Sequence, residues 1–200
     1  MPSPAPHPSS TPALSFPPEL LLRAQGPSGA GLKAAIFDVD GVLTDGRLYI
    51  GEDGESFKAF HVQDGHGLKA LVHGGITPIV ITGRDSPAVR RRVADLGLRH
   101  AAFGASDKLP VANQWLEKLG FQWSEVAVIG DDWPDLPLFA RAALAVAPPE
   151  AHAEALARAH HVTTAGGGRG AARELCDLLL IANGRYAALL EGHLTTLDGR

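Results

Sequence analysis

The chain has 200 residues, 45% of them hydrophobic, with 22 acidic against 18 basic side chains and a formal net charge of −4. That is enough for one domain with a substantial core, and the mildly acidic balance argues against a nucleic-acid partner, whose phosphates need a basic face. A single cysteine, Cys176, excludes an internal disulfide and a cysteine-clustered zinc site, and no run approaches the ~18 apolar residues of a membrane span.

Residues 2–18 are rich in proline, serine and alanine and lack the basic start and apolar middle of a secretory signal. Residues 1–30 are therefore expected to be a disordered extension, residues 31–184 the folded domain and residues 185–200 a partly helical tail. The first β-rich run, Ala34–Phe37, leads straight into Asp38-Val39-Asp40-Gly41. Residues two apart on a strand share a face, so Asp38 and Asp40 can address one ligand, although the same spacing also occurs in Asp-rich turns. Leu48-Tyr49-Ile50, Gly51-Glu52-Asp53-Gly54 and Ser56-Phe57-Lys58-Ala59-Phe60 then read as a β-hairpin with a glycine-bearing turn.

Beyond the hairpin, strands are expected over 76–81, 101–103, Val126–Ile129, 144–146 and 161–163. Helices are expected over 65–72, 87–96, Lys108–Leu119, 134–141, 151–159 and 169–182. Short apolar strands alternating with helices predict a doubly wound, Rossmann-like α/β fold, its parallel sheet covered on both faces. Ligands of such sheets bind beyond the carboxyl ends of the strands, and the hairpin falls where it would project over that edge.

Three of the strand ends carry complementary polar groups: Asp38 and Asp40, Thr82-Gly83-Arg84, and Gly130-Asp131-Asp132. Lys108, opening a helix, adds positive charge. Carboxylates offer oxygen ligands to Mg²⁺, and hydroxyl and ammonium groups suit phosphate oxygens, so the set fits a phosphorylated ligand with a divalent cation. For Thr82 the plain alternative is a hydroxyl capping a turn, and for Lys108 a solvated helix residue.

In this order the motifs resemble the haloacid dehalogenase superfamily of phosphatases. The resemblance implies that Asp38 is the nucleophile, forming an aspartyl-phosphate, and that Asp40 is the general acid and then the base. It implies that Thr82 and Lys108 hold the phosphoryl group, and that Asp38, the Asp40 backbone carbonyl and Asp131 ligate Mg²⁺ with Asp132 supporting them.

The segments Phe57 to Gly67, Ile81 to Arg84, Gly130 to Asp132 and Ala165 to Glu174 narrow the likeness further. They resemble the 3-deoxy-D-manno-octulosonate 8-phosphate phosphatases, cytoplasmic enzymes of lipopolysaccharide biosynthesis that lack a large cap domain and form homotetramers. That family implies contacts to a sugar acid phosphate from Asp40, His61, Val62, Gln63, Asp64, Gly65, Lys69, Arg84, Arg92 and Lys108. Here His61 replaces an Asn common in the family, and Lys69 an Arg, which removes the bidentate fork suited to a carboxylate. Arg92 has a second reading as part of the wet helix face Arg90-Arg91-Arg92.

Two rival functions stand beside this one: the same chemistry on a nine-carbon sialic-type sugar acid phosphate, and a silent phosphatase-like scaffold. The spacing of His61, His66 and His73 does not favour a histidine metal site. The run Gly166–Gly170 lacks the Lys-Ser/Thr ending of a P-loop and reads as a flexible link.

Overall fold

The computed structural model describes residues 13–198; the disorder expected of residues 1–12 lies outside the described residues. In chain order the elements are α1 (Pro18–Gln25), β1 (Ala34–Phe37), β2 (Tyr49–Gly51), β3 (Gly54–Phe57), α2 (Val62–His73), β4 (Thr77–Ile81), α3 (Pro87–Asp95) and β5 (Ala101–Ala102). They continue with α4 (Lys108–Leu119), β6 (Val126–Ile129), α5 (Leu136–Phe139), β7 (Leu144–Ala147), α6 (Ala153–Leu156), β8 (His161–Val162), α7 (Ala171–Ala182) and α8 (Tyr186–Asp198). Six strands form one parallel sheet in the order β5-β4-β1-β6-β7-β8, and β2 and β3 pair separately as an antiparallel hairpin. This is the doubly wound fold expected.

The period of two along each strand divides the core into two halves. Ala35, Phe37, Val80, Ala127, Ile129, Leu144 and Val146 face the layer that includes Leu20, Leu68, Leu71, Val89 and Leu175 from α1, α2, α3 and α7. Ala34, Ile36, Ile79, Ile81, Val126, Val128, Ala145 and Ala147 face Ala112, Leu116, Leu138, Phe139 and Ala155 from α4, α5 and α6. Strands buried on both faces need the continuous apolar runs seen in the sequence. Between β1 and β4 the chain inserts only the hairpin and α2, with no large cap domain.

The N-terminal expectation is corrected for residues 18–25. A helix forms there because Pro18 occupies a first-turn position, where no N–H donor is required, and Leu20 and Ala24 are buried in the core. Burying these two side chains outweighs the extended preference of the neighbouring prolines. The C-terminal segment is the helix α8, whose His193 ring meets His66 of α2 edge-on at 5.5 Å. The helix expected over 134–141 is broken into a 3₁₀ turn, Trp133–Asp135, and the short α5. Among the described residues no helix is long and apolar enough to cross a membrane.

Candidate active site

Phe37, the last residue of β1, pairs with Val80 on one side and Ile129 on the other. The chain therefore leaves the sheet side by side at Asp38, at Ile81-Thr82 and at Gly130-Asp131. Val39, Val42 and Leu43 are buried in the core, and the carbonyl of Val39 accepts from the N–H groups of Val42, Leu43 and Thr44. Between inward-facing Phe37 and Val39, Asp38 points to the other side at the sheet edge, and the turn that begins at Val39 carries Asp40 toward Lys58 of the hairpin. The glycine run contributes here too. A Cβ on Gly167 would stand 1.9 Å from the Gly41 carbonyl oxygen, and Gly168 N donates to Val42 O at 2.8 Å. The stretch expected to be a flexible link is a close-packed brace for the aspartate loop.

Toward β6 lies a buried acidic centre. Lys108, at the head of α4 with Asp107 as its N-cap, places Nζ 2.7 Å from Asp38 Oδ1 and 2.7 Å from Asp135 Oδ1. The other oxygen of Asp135 accepts from the N–H groups of Asp131 at 3.1 Å and Asp132 at 3.4 Å. Asp38, Asp131 and Asp135 each offer an oxygen within 4.8 Å of the others. Burial, reinforced by repulsion from Asp135, raises the Asp38 carboxyl well above its usual range despite Lys108. The same two causes push Asp131 up to about 6. Burial alone would lower the Lys108 ammonium, but Asp38 and Asp135 more than offset it and hold its pKa above the usual value. One ammonium among three carboxylates leaves an excess of buried negative charge, and an all-oxygen donor set suits a hard divalent cation. The residues present fit Mg²⁺.

Toward the hairpin, Asp40 is half-buried and its Oδ1 is ion-paired with Lys58, whose side chain is only 1% exposed. Lys58 Nζ is also 3.2 Å from Glu55 Oε2, and the Ser86 hydroxyl at the head of α3 donates to Glu55 Oε1. Arg84 Nη2 stands 3.6 Å from Glu55 and its Nε 4.0 Å from Asp40 Oδ2. Thr82 is buried at the end of β4, and its hydroxyl oxygen accepts from Arg84 N at 3.3 Å. The turn-capping alternative for Thr82 thus coexists with a hydroxyl proton still able to donate to a phosphoryl oxygen.

Residues 104–175 match the sequence profile of the haloacid dehalogenase-like hydrolases. Over 154 residues the chain is 45% identical to the 3-deoxy-D-manno-octulosonate 8-phosphate phosphatase of Escherichia coli, an alignment covering 77% of this chain and 82% of that one. The chain belongs to that phosphatase family. The Yersinia pestis structure with the same name superposes with a TM-score of 0.79 at 41% identity, covering 84% of this chain and 89% of that one. The Moraxella catarrhalis structure, a complex with magnesium, phosphate and KDO, gives 0.81 at 38% identity, covering 88% and 98%. A cobalt-bound Haemophilus influenzae structure gives 0.76 at 39%, covering 83% and 93%.

The residues that the family likeness implies for sugar contact divide into two groups. Val62, Gln63 and Lys69 are exposed on α2, and Arg84 is exposed beside Asp40. Arg92 is half-buried, donating to the His61 carbonyl at 3.3 Å with its guanidinium 5.7 Å from the Phe60 ring centre, so it is not part of a fully wet helix face. His61 is half-buried beside it. Asp64 and Gly65 are buried instead. The Asp64 carboxylate accepts from Gly170 N at 3.3 Å and Arg173 N at 2.8 Å, at the start of α7. It is a cap for that helix, because the orphan N–H groups of a helix start need an acceptor where water is absent.

Asp132 is exposed, and the carboxylate that supports Asp131 from inside is Asp135. Sequence reading missed Asp135 and Lys58. Asp135 lies in Asp131-Asp132-Trp133-Pro134-Asp135, where Pro134 signals a new helical turn that can fold the last aspartate back. Lys58 is legible only once the hairpin is known to close over Asp40.

Proposed function

We propose that the protein hydrolyses 3-deoxy-D-manno-octulosonate 8-phosphate to the free sugar acid and inorganic phosphate in a Mg²⁺-dependent reaction of lipopolysaccharide biosynthesis. The observation that carries this reading is family membership at 45% identity, supported by Asp38, Lys108 and Asp131 standing together at one sheet edge. Asp38 attacks phosphorus, forming a Asp38 O–P bond as the P–O bond to the sugar breaks, and Asp40 gives its proton to the departing sugar oxygen. In the second step Asp40 takes a proton from the attacking water, and the Asp38 O–P bond breaks to release phosphate. Thr82 and Lys108 donate to the phosphoryl oxygens, where charge spreads in the transition state. Mg²⁺, held by Asp38, Asp131 and the Asp40 backbone carbonyl, would offset repulsion between an anionic nucleophile and an anionic phosphate. Exposed Arg84, Lys69 and Gln63, with His61 and Arg92, are the groups proposed to meet the sugar hydroxyls and carboxylate.

The proposed assembly is a homotetramer. It is supported by the apolar surface the hairpin leaves uncovered, with Ile50 64% and Phe57 56% exposed. The proposed location is the cytoplasm, in keeping with a buried free thiol at Cys176. The test is a panel of sugar phosphates ranked by kcat/KM in Mg²⁺. The eight-carbon sugar acid phosphate should stand first, above its nine-carbon sialic-type counterpart, with activity abolished by EDTA. A higher kcat/KM on another sugar phosphate would overturn the substrate, and inactivity on the whole panel would overturn the enzyme.

A further inference from the structure

We infer that Lys58 is the positioning residue of the acid/base, holding Asp40 so that one chosen oxygen exchanges the proton with the sugar oxygen. This inference rests on the phosphatase reading above. Lys58 directly follows β3, and its ammonium is almost wholly buried against Asp40 Oδ1. A buried ammonium is costly unless paired, so this contact is a fixed part of the site and not a passing surface ion pair. With Oδ1 claimed, Oδ2 remains. The hydrogen bond from Lys58 goes to Oδ1, and the cation on the Oδ2 side, Arg84 Nε, stands 4.0 Å away, beyond hydrogen-bond reach, so Oδ2 is the oxygen that can carry the proton.

Lys58 is itself held. Glu55, three residues earlier in the hairpin, pairs with its Nζ at 3.2 Å and is gripped by the Ser86 hydroxyl from the head of α3. The path Ser86–Glu55–Lys58–Asp40 ties the hairpin to the acid/base through side chains alone. A Lys58 that served only to fill space would have no need of two carboxylate partners and a burial this complete. The hairpin is therefore part of the proton-transfer apparatus of its own subunit, through a residue that does not touch the reacting phosphorus.

The chemistry supplies a test that separates positioning from a general structural role. Departure of a sugar alcohol requires a proton, whereas departure of 4-nitrophenolate does not. The ratio kcat/KM reports events only up to the departure of the leaving group, so later dephosphorylation does not enter the comparison. In saturating Mg²⁺, Lys58→Met should lower kcat/KM on the best primary-alcohol sugar phosphate by about 10²-fold, the usual contribution of a placed general acid. On 4-nitrophenyl phosphate it should change by no more than about threefold. Ethylammonium added to Lys58→Ala should restore part of the sugar phosphate rate and leave the aryl rate unchanged.

An equal fall on both esters, or no fall on the sugar ester, would overturn the inference. Should Lys58→Met fail to fold, Glu55→Gln carries the same test. It leaves Lys58 in place but loosens it, and should give a selective loss of about five- to tenfold, against which an unselective loss counts. Because the comparison uses whichever sugar phosphate the wild-type protein turns over best, failure on the octulosonate ester would refute the substrate while leaving this test intact.

Discussion

On the side of β1 that faces β6, buried Asp38 and Asp135 share one lysine, Lys108, with half-buried Asp131 beside them. On the side that carries the hairpin, Asp40 and Glu55 meet Lys58 and Arg84, two charges against two. The consequence shows in the acids themselves. Burial and mutual repulsion raise Asp38 and Asp131 on the first side. Burial would also raise Glu55, but the Ser86 hydrogen bond and the pairing with Lys58 and Arg84 more than offset it and hold Glu55 below its usual range. The first flank holds more carboxylate than Lys108 can balance, and the second is neutralised from within. On the proposed reading, the charge imbalance falls where the metal and nucleophile would sit, and the charge balance where the acid/base would be held.

The sharpest way to break this contrast is to neutralise one acid on each flank. Asp38→Asn should reduce phosphate release by about 10⁴-fold or more, the scale seen when a nucleophile is removed. In the absence of Mg²⁺ it should leave Tm unchanged or raised, because the charge removed is one that burial disfavours. Glu55→Gln should do the reverse, lowering Tm while retaining most aryl phosphatase activity. Thermal melts of both variants in EDTA decide the matter. If Asp38→Asn melted clearly below wild type, the first flank would not be under-neutralised.

Next in size is the response to Mg²⁺. At a hundredfold excess of Mg²⁺ over its dissociation constant, binding to the native state alone should add about 2.7 kcal/mol. That corresponds to a rise in Tm of about 5–10 °C for a chain of this length. Asp135→Asn should weaken Mg²⁺ binding about 10- to 100-fold, because the single amide oxygen of Asn cannot both pair with Lys108 and accept from the Asp131 and Asp132 amides. Isothermal titration with the metal alone measures this. An unchanged dissociation constant would place Asp135 outside the metal's support.

Asp64 is a third kind of carboxylate, paired with backbone amides and not with a formal charge. Asp64→Ala should cost about 1–2 kcal/mol by stranding the Gly170 and Arg173 amides at the start of α7. The discriminating readout is KM for the sugar phosphate. A large rise in KM in a variant of unchanged Tm would restore Asp64 to the role of sugar ligand that the family likeness implies and its burial here opposes.

Most of the sheet was legible from the chain, because strands buried on both faces must be written as short apolar runs, and Ala34–Phe37 and Val126–Ile129 have the bounds expected of them. That Asp38 and Asp131 would lie together was legible because strand ends in a parallel sheet converge, and Lys108 was legible as the charge at the head of a helix on that edge. What escaped depended on contacts distant in sequence. The helix α1 is invisible amid prolines until Leu20 and Ala24 are seen to meet the core. Lys58 has no local pattern, since its meaning comes from the angle at which the hairpin returns over Asp40. Gly167 reads as slack in the sequence, yet in the fold it is the residue that lets two backbones touch.

The smallest expected effect extends the contrast beyond the site. Glu174, in the first turn of α7, accepts from Thr164 N at 2.9 Å and Ala165 N at 3.2 Å and bonds to His161 at 2.9 Å. Burial alone would raise its pKa, but the hydrogen bonds from His161 and the two amides more than offset this, so the folded value lies below the ordinary 4.5. A carboxyl lowered by folding adds stability that is fully present above its unfolded pKa and is lost as pH falls through the folded one. Glu174 should therefore stabilise the protein fully above about pH 4.5, with its contribution draining away at more acidic pH. Glu174→Gln removes the titration, so urea unfolding of wild type and variant should differ near pH 7 and converge as the pH falls below 4. If the difference between them held constant across that range, Glu174 would not be among the internally satisfied acids, and the division between satisfied and under-neutralised carboxylates would hold only around Asp38.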